Sequence, residues 1–551
     1  MDQTIKTLKD SAAARWTALL LLSFAMFCSY IFMDILSPIK DLMQSTPYLQ
    51  WDSTAFGTMQ GSETFLNVFI FFLIFAGIIL DKMGVRFTAV LSGAVMIIGA
   101  TINWYAVTET FANSELKLWF DANLNYIPGF EELGVSPFYR GMPASAKFAS
   151  IGFMIFGCGV EMAGITVSRG IVKWFKGREM ALAMGSEMAL ARLGVATCMI
   201  FSPVFARLYG VVDVSRSVAF GVVLLMIALI MFIVYFFMDK KLDSQTGEAE
   251  EKDDPFQIKD LGKIFTSIGF WLVALLCVLY YSAIFPFQKY AVNMLQCNLT
   301  FTAVDPESFW ASNTCTIIQY IVMLVVAASA FASNFSKKAT KAILLVVSVV
   351  SLVGFCLMGY MRQSAETIFS VFPLLAVGIT PILGKYVDNK GKAASMLMFG
   401  SILLIVCHLT FAFILPMFKG SDMGVVVAYL TILVLGASFS LVPAALWPSV
   451  PKLVDGKVIG SAYALIFWIQ NIGLWLFPLL IGKVLDASNP QIVEDVKSGV
   501  MTPAEAAVSY NYTNPLLMLA CLGFAALILG FVLKAIDKKK GLGLELPNVQ
   551  K

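Results

Sequence analysis

The chain has 551 residues, 58% of them hydrophobic and 14% charged, with a mean hydropathy of +0.79 and a net charge of +3. Soluble domains carry roughly a quarter charged residues, so this composition excludes them. The apolar runs are also too long for membrane β-barrel strands of about ten residues.

The expected protein is an all-α polytopic membrane protein, because windows of about 18 to 25 apolar residues suit a helix crossing the hydrocarbon core. Fourteen such windows are read from the chain. The start, MDQTIKTLKDSAAARW, has no small-residue cleavage site behind a short apolar stretch, so window 16 to 37 is expected to stay as a transmembrane helix. Window 56 to 80 leads into GIILDKMGVRF, where Gly77, Asp81, Gly84 and Arg86 keep a G-x-x-x-D-K-x-G-x-R spacing. Gly77 is expected to allow close helix approach, and Asp81 to meet a helix N-terminus or a basic group. After window 87 to 107, the polar and aromatic segment 108 to 147, with ProGly at 128 and 129, reads as a loop or short cap over a cavity mouth.

Windows 147 to 168 and 181 to 207 each carry one ionisable residue at membrane depth, Glu161 and Arg192. The short polar turn between them makes the two helices antiparallel neighbours. An isolated charge there costs between about 2.5 and 17 kcal/mol, so both side chains are expected to face a bundle interior or a water-filled cavity. At about 1.5 Å per residue, Glu161 lies about 12 Å along its helix from Arg169 and Arg192 about 21 Å from Arg178. That offset of about 9 Å suits two ends of one small zwitterion. The alternative is an intramembrane ion pair that pins the two helices.

Window 217 to 238 ends the first half. Residues 239 to 266 read as a charged cytoplasmic linker that lets two halves rock. Windows 267 to 288, 368 to 386, 393 to 415, 424 to 447, 458 to 481 and 515 to 536 form the second half, within 267 to 551. Windows 316 to 333 and 341 to 361 form an inserted hairpin, expected at the bundle periphery because it holds no intramembrane Asp, Glu, Lys or Arg. Most of the 39 Lys and Arg fall outside the membrane on the side that holds both termini, which predicts that this side is cytoplasmic. Seven of the nine cysteines lie in or beside windows; Cys297 and Cys315 share an outer loop, where a disulfide is one of two open alternatives.

The segment GKYVDNKGK repeats the first loop's spacing through Gly384, Asp388 and Gly391. A second internal match aligns 177 to 194 on 456 to 473 without a gap, with Arg192 opposite Asn471. The paired loops resemble those of the major facilitator superfamily. The resemblance implies a major facilitator fold, two pseudo-symmetric six-helix halves around a central cavity, with Gly77, Asp81, Gly84, Arg86, Gly384, Asp388 and Gly391 in conformational gating.

Five further stretches resemble one branch of that superfamily, the lysosomal dipeptide transporter family. They are SYIFMDILSPI; WFKGREMALAMG followed by ARLG; YYSAIFPFQKY; ALWPSVP; and GSAYALIFWIQNIGLWLFPLLIGKVLD. By position, the family's acid and arginine that contact the two ends of a dipeptide fall on Glu161 and Arg192. Tyr30, Tyr280, Tyr281, Trp468 and Asn471 are the expected further substrate contacts. The family's acidic dileucine address is missing from the N-terminal stretch, so a plasma or bacterial inner membrane is expected.

The expected partners are a small-molecule substrate and the lipid bilayer, in a monomer, with no nucleic acid, cofactor or metal. A proton-coupled carrier using Asp34, Glu63, Glu161 or Glu187, or an exporter of an organic anion, amino acid or drug, is the alternative. His408 reads first as a packed polar side chain. No H-E-x-x-H, G-x-S-x-G or P-loop motif points to an enzyme.

Overall fold

The computed structural model describes residues 7–127, 130, 136–175, 179–246, 262, 264–302, 304–454 and 459–547. Helix α1, Ala12–Met33, starts at Ser11, whose hydroxyl accepts from the Ala14 N–H. It ends at Asp34, where the chain tightens into a short turn carrying Pro38 before resuming over Lys40–Ser45. Proline lacks the N–H that the helical ladder needs, which fits the break.

The window expected at 56 to 80 is not one helix. It is divided into α2, Ser53–Ser62, α3, Phe65–Phe69, and the start of α4, Phe72–Ala106, with Phe71 in the left-handed region at φ 55° just before α4. Helix α4 then runs from the second expected window into the third. It changes direction at Gly84 alone, φ 78° and ψ 167°, a backbone that a side chain with a Cβ adopts only at a cost. At Gly84 the chain leaves helical geometry and doubles back, so that Glu63 before it and Met96 after it lie against the neighbouring positions Gly157 and Gly159, and α4 is two helices joined at a one-residue turn.

The remaining long helices are α5, Ala144–Phe175; α6, Met180–Ala206; α7, Val214–Thr246; α8, Ile268–Leu299; α9, Asn313–Ser333; and α10, Lys338–Met361. They are followed by α11, Ala365–Lys390; α12, Ala393–Leu409; α13, Asp422–Ala445; α14, Ile459–Ser488; and α15, Thr513–Lys540. Among the described residues, thirteen helices are long and apolar enough to cross a membrane, and no strand occurs. The count differs from the fourteen expected because the second and third windows meet at the Gly84 turn within the one range of α4.

Helices α1 to α7 form one body and α8 with α11 to α15 the other; they meet where α2 packs on α14 and α6 packs on α11. The hairpin α9–α10 lies outside this bundle. Helix α9 packs on α10 and α11, while α10 leaves Ile343, Val346, Val350 and Leu357 exposed, as a lipid-facing helix would. Only the turn after α9 reaches the central cavity, through Asn334 and Phe335.

One expectation is corrected and one open alternative is decided. Residues 239 to 246 continue α7 instead of opening a linker; 247–261 and 263 lie outside the described residues. Asp239 and Asp243 are ion-paired to Lys173 at 2.6 and 2.8 Å, and Asp243 also to Arg86 at 2.7 Å, so this acidic run fastens α7 to α5 and α4. Cys297 and Cys315 are both buried free thiols, not a disulfide. Pro128 and Gly129, expected to mark a loop, also lie outside the described residues.

Candidate binding cavity

A cavity of about 2510 Å³ lies between the two halves. That exceeds the roughly 300 to 1,000 Å³ of ordinary ligand pockets because this one opens widely at one face. Its mouth carries Lys9, Asp81, Arg169, Lys173, Asp243, Lys385 and Asp388. These belong to the segments around both repeated loops, so the cavity opens on the face where the described N-terminal residues lie. The far end is shut. There Lys40 is buried and donates to Asn293 Oδ1 at 3.2 Å, and the Tyr290 hydroxyl donates to the carbonyls of Ser53 and Pro478 at 3.0 and 2.9 Å.

Glu161 on α5 and Arg192 on α6 both line this cavity. Their helices are antiparallel neighbours in the N-terminal half, which is what the short polar turn between them demands. No ion pair joins the two. Glu161 Oε1 instead accepts from Asn471 Nδ2 of α14 at 3.1 Å. The Arg192 guanidinium sits over three rings, Tyr30 at 5.7 Å, Phe285 at 5.2 Å and Phe439 at 4.8 Å. Each such contact contributes about 0.5 to 1 kcal/mol when exposed and about 2 when desolvated, which makes this half-buried cation tolerable without a carboxylate. Among the described residues none of the Arg192 N–H groups has a hydrogen-bond partner, so an anion in the cavity can take them.

Tyr30, Tyr281 and Asn471 line the same cavity, and Tyr281 accepts a hydrogen bond from Trp447 Nε1 at 3.2 Å. Two expected contacts do not reach it. Tyr280 is fully buried, its hydroxyl held by the Leu397 carbonyl and, at 2.6 Å, by Ser401. Trp468 stacks on Phe71 at 5.3 Å and donates to the Val68 carbonyl at 2.9 Å, bracing the broken second helix instead of lining the cavity. The sequence pattern could not separate these rings from Tyr281 because one residue along a helix turns a side chain by about 100°.

At the mouth, Asp81 pairs with Arg169 of α5 at 2.5 Å, and Arg86 with Asp243 of α7. Asp388 lines the mouth from the other half. Gly391 has φ 72°, and a Cβ there would run into the backbone of Glu545 and Leu546. Gly77 and Gly384 behave differently from the close-approach role expected of Gly77. A Cβ on either meets nothing, because both face the open cavity.

The most prominent pair missed from the sequence is Asp34 with Lys289. Lys289 lies one residue beyond the window read as 267 to 288; α8 continues to Leu299 and carries it to the cavity ceiling. Glu63 and Glu187 also line the cavity, and among the described residues neither has an ion-pair partner. His408 is buried, with Nε2 against the Ala283 carbonyl at 3.1 Å. Among the described residues no cluster of three or more His, Cys, Asp or Glu is arranged to hold a metal.

Residues 22–366 match the family model described as Major Facilitator Superfamily. The chain is similar to the lysosomal dipeptide transporter MFSD1 of Bos taurus, 23% identical over 488 residues, which cover 86% of this chain and 80% of that protein. The Homo sapiens MFSD1 is 23% identical over 487 residues, 86% and 81% of the two chains. Among solved structures, the nucleoside transporter NupG superposes with a TM-score of 0.57 at 13% identity, over 95% of this chain and 99% of that one. A bacterial homologue of the human lysosomal transporter Spinster, inward-facing and occupied, gives 0.56 at 13% identity, over 96% and 98%. Such identities carry the fold alone, and the family model supplies the rest: the chain belongs to the Major Facilitator Superfamily of integral membrane transporters.

Proposed function

We propose that this transporter moves small zwitterionic peptides, dipeptides first, by alternating access, with Glu161 holding the amino terminus and Arg192 the carboxylate. The observation that carries the reading is that one acid and one base face the same cavity from adjacent helices without pairing with each other. A dipeptide supplies the opposite charge to each. Arg can take a carboxylate through two parallel hydrogen bonds, which Lys cannot copy. The similarity to proteins named as dipeptide transporters supports the substrate class. A single amino acid leaves one pole unpaired, and a longer peptide must buckle or lose one end.

In this reading Asp81 and Asp388 govern the balance of states at the mouth, and the protein works as a monomer in a plasma or bacterial inner membrane. The basic side chains around the mouth favour cytoplasmic termini and a cytoplasm-facing cavity. A second reading, a proton-coupled carrier, is favoured by one observation: Glu63 and Glu187 line the cavity without an ion-pair partner.

Uptake into liposomes tests the first reading. Dipeptides are expected to be taken up and N-acetylated dipeptides to be poor substrates, with Arg192→Lys and Glu161→Gln each reducing uptake severely in a folded protein. Parent-rate uptake by a folded Glu161→Gln/Arg192→Gln protein would overturn it. Uptake that follows an imposed pH gradient supports the coupled variant.

A further inference from the structure

We propose that Phe285 and Phe439 are positioning residues for Arg192, as Asn471 is for Glu161, so that the C-terminal half sets the geometry of two charges carried by the N-terminal half. The proposal rests on the dipeptide reading above.

The two charges come from α5 and α6. Their holders come from the opposite body: Phe285 on α8, Phe439 on α13 and Asn471 on α14. A guanidinium is drawn to ring faces while its N–H donors stay free for a carboxylate, and two rings set at 86° to each other confine it from two directions. The rings themselves are fixed. Phe285 and Phe439 meet edge to face at 5.6 Å; Phe439 packs on Phe372 at 5.7 Å, and Phe285 stacks on Tyr281 at 5.3 Å, whose hydroxyl is held by Trp447. The third ring, Tyr30, belongs to the same half as Arg192 and moves with it.

A relative movement of the halves therefore takes the holders away from both charges together. The strength of the grip on a peptide's ends then depends on how far the halves have parted, which links binding to the conformational step.

The test compares uptake of one dipeptide with uptake of the same dipeptide amidated at its C-terminus, which cannot offer Arg192 a carboxylate. Phe439→Leu and Phe285→Leu keep bulk and remove the ring. Each is expected to raise KM for the free dipeptide about three- to tenfold at little changed maximal rate, and to leave KM for the amide in place. Phe285→Tyr, which keeps a ring, is expected to restore the parent KM. If Phe439→Leu does not fold, Phe285→Leu reads the same quantity.

Leu variants that raise both KM values alike, or lower the rate with both unchanged, reduce the rings to packing and overturn the proposal. A parent that takes dipeptide and amide equally well overturns the clamp itself, and the proposal with it.

Discussion

Asp34 of α1 and Lys289 of α8 form an ion pair between the two halves, Oδ1 to Nζ 2.8 Å, with side chains only 1% and 9% exposed. Gln288 donates to the other carboxylate oxygen at 2.6 Å, and Lys289 also donates to the Met33 carbonyl at 2.8 Å. The pair roofs the cavity where α1 breaks. Removing one partner of such a pair strands a buried charge, at a cost of about 3 to 5 kcal/mol, whereas removing both does not. Asp34→Asn and Lys289→Met are therefore expected to lower the unfolding midpoint strongly, and the double variant to recover most of the loss. A double variant no more stable than either single one would argue against a true pair.

Glu161 and Arg192 make the opposite case. Since each is held by groups other than its partner, a double-mutant cycle on unfolding without substrate is expected to show coupling below about 0.5 kcal/mol. Saturating dipeptide stabilises a binding-competent parent by about 2.7 kcal/mol at one hundred times Kd. Each neutral single variant is expected to lose most of that stabilisation. Strong coupling without ligand would restore the simple ion-pair reading.

The glycines facing the two ends of the cavity should respond in opposite ways. A Cβ at Gly57 would strike the Pro478 carbonyl of the other half, and one at Gly482 the backbone of Ser53, whereas one at Gly77 meets nothing. Gly57→Ala is expected to destabilise this state by about 1 to 3 kcal/mol, as overpacking does. Gly77→Ala is expected to leave thermal unfolding unchanged. A bulkier Gly77→Leu should slow transport without lowering stability, because it obstructs closure of the mouth. Unchanged unfolding for Gly57→Ala, or a fall for Gly77→Ala, would reverse the assignment of closed and open ends.

Acidity should act at the closed end through Asp52, in the loop before α2. Its side chain keeps an exposed edge, but partial desolvation, then the charge of Asp486, pushes its pKa up to about 6. Lys40 opposes this, as do hydrogen bonds from the Ala55 N–H and, at 3.5 Å, the Tyr139 hydroxyl. A carboxyl raised above its free value of about 3.9 favours the folded state while protonated and loses that contribution as pH rises from about 4 through about 6. Asn keeps the N-cap without the charge. The stability of Asp52→Asn relative to the parent should therefore grow over that interval and level off above it. Solvent screening limits the gain to less than about 1 kcal/mol. Thermal unfolding of both proteins between pH 5 and 7.5 checks it; a difference that does not change with pH would exclude Asp52 as its source.

Composition and periodicity alone decided that this chain is a helical membrane protein, since apolar runs of bilayer length have no other stable form in lipid. The paired loops at Asp81 and Asp388, and the match of Arg192 with Asn471, made a two-half architecture legible because repeated local sequence folds to repeated local structure. Glu161 and Arg192 stood out because a charge at membrane depth needs a reason.

Tertiary structure alone decided the rest. Whether a ring such as Tyr280 or Tyr281 meets the cavity depends on helix rotation, which neighbouring helices set. That the chain turns back at Gly84 and breaks at Phe71 is a matter of backbone angles that a hydropathy window averages away. The partners of Asp34, Glu161 and Arg192 lie on helices far along the chain and in the other half, and only packing brings Lys289, Asn471, Phe285 and Phe439 to them.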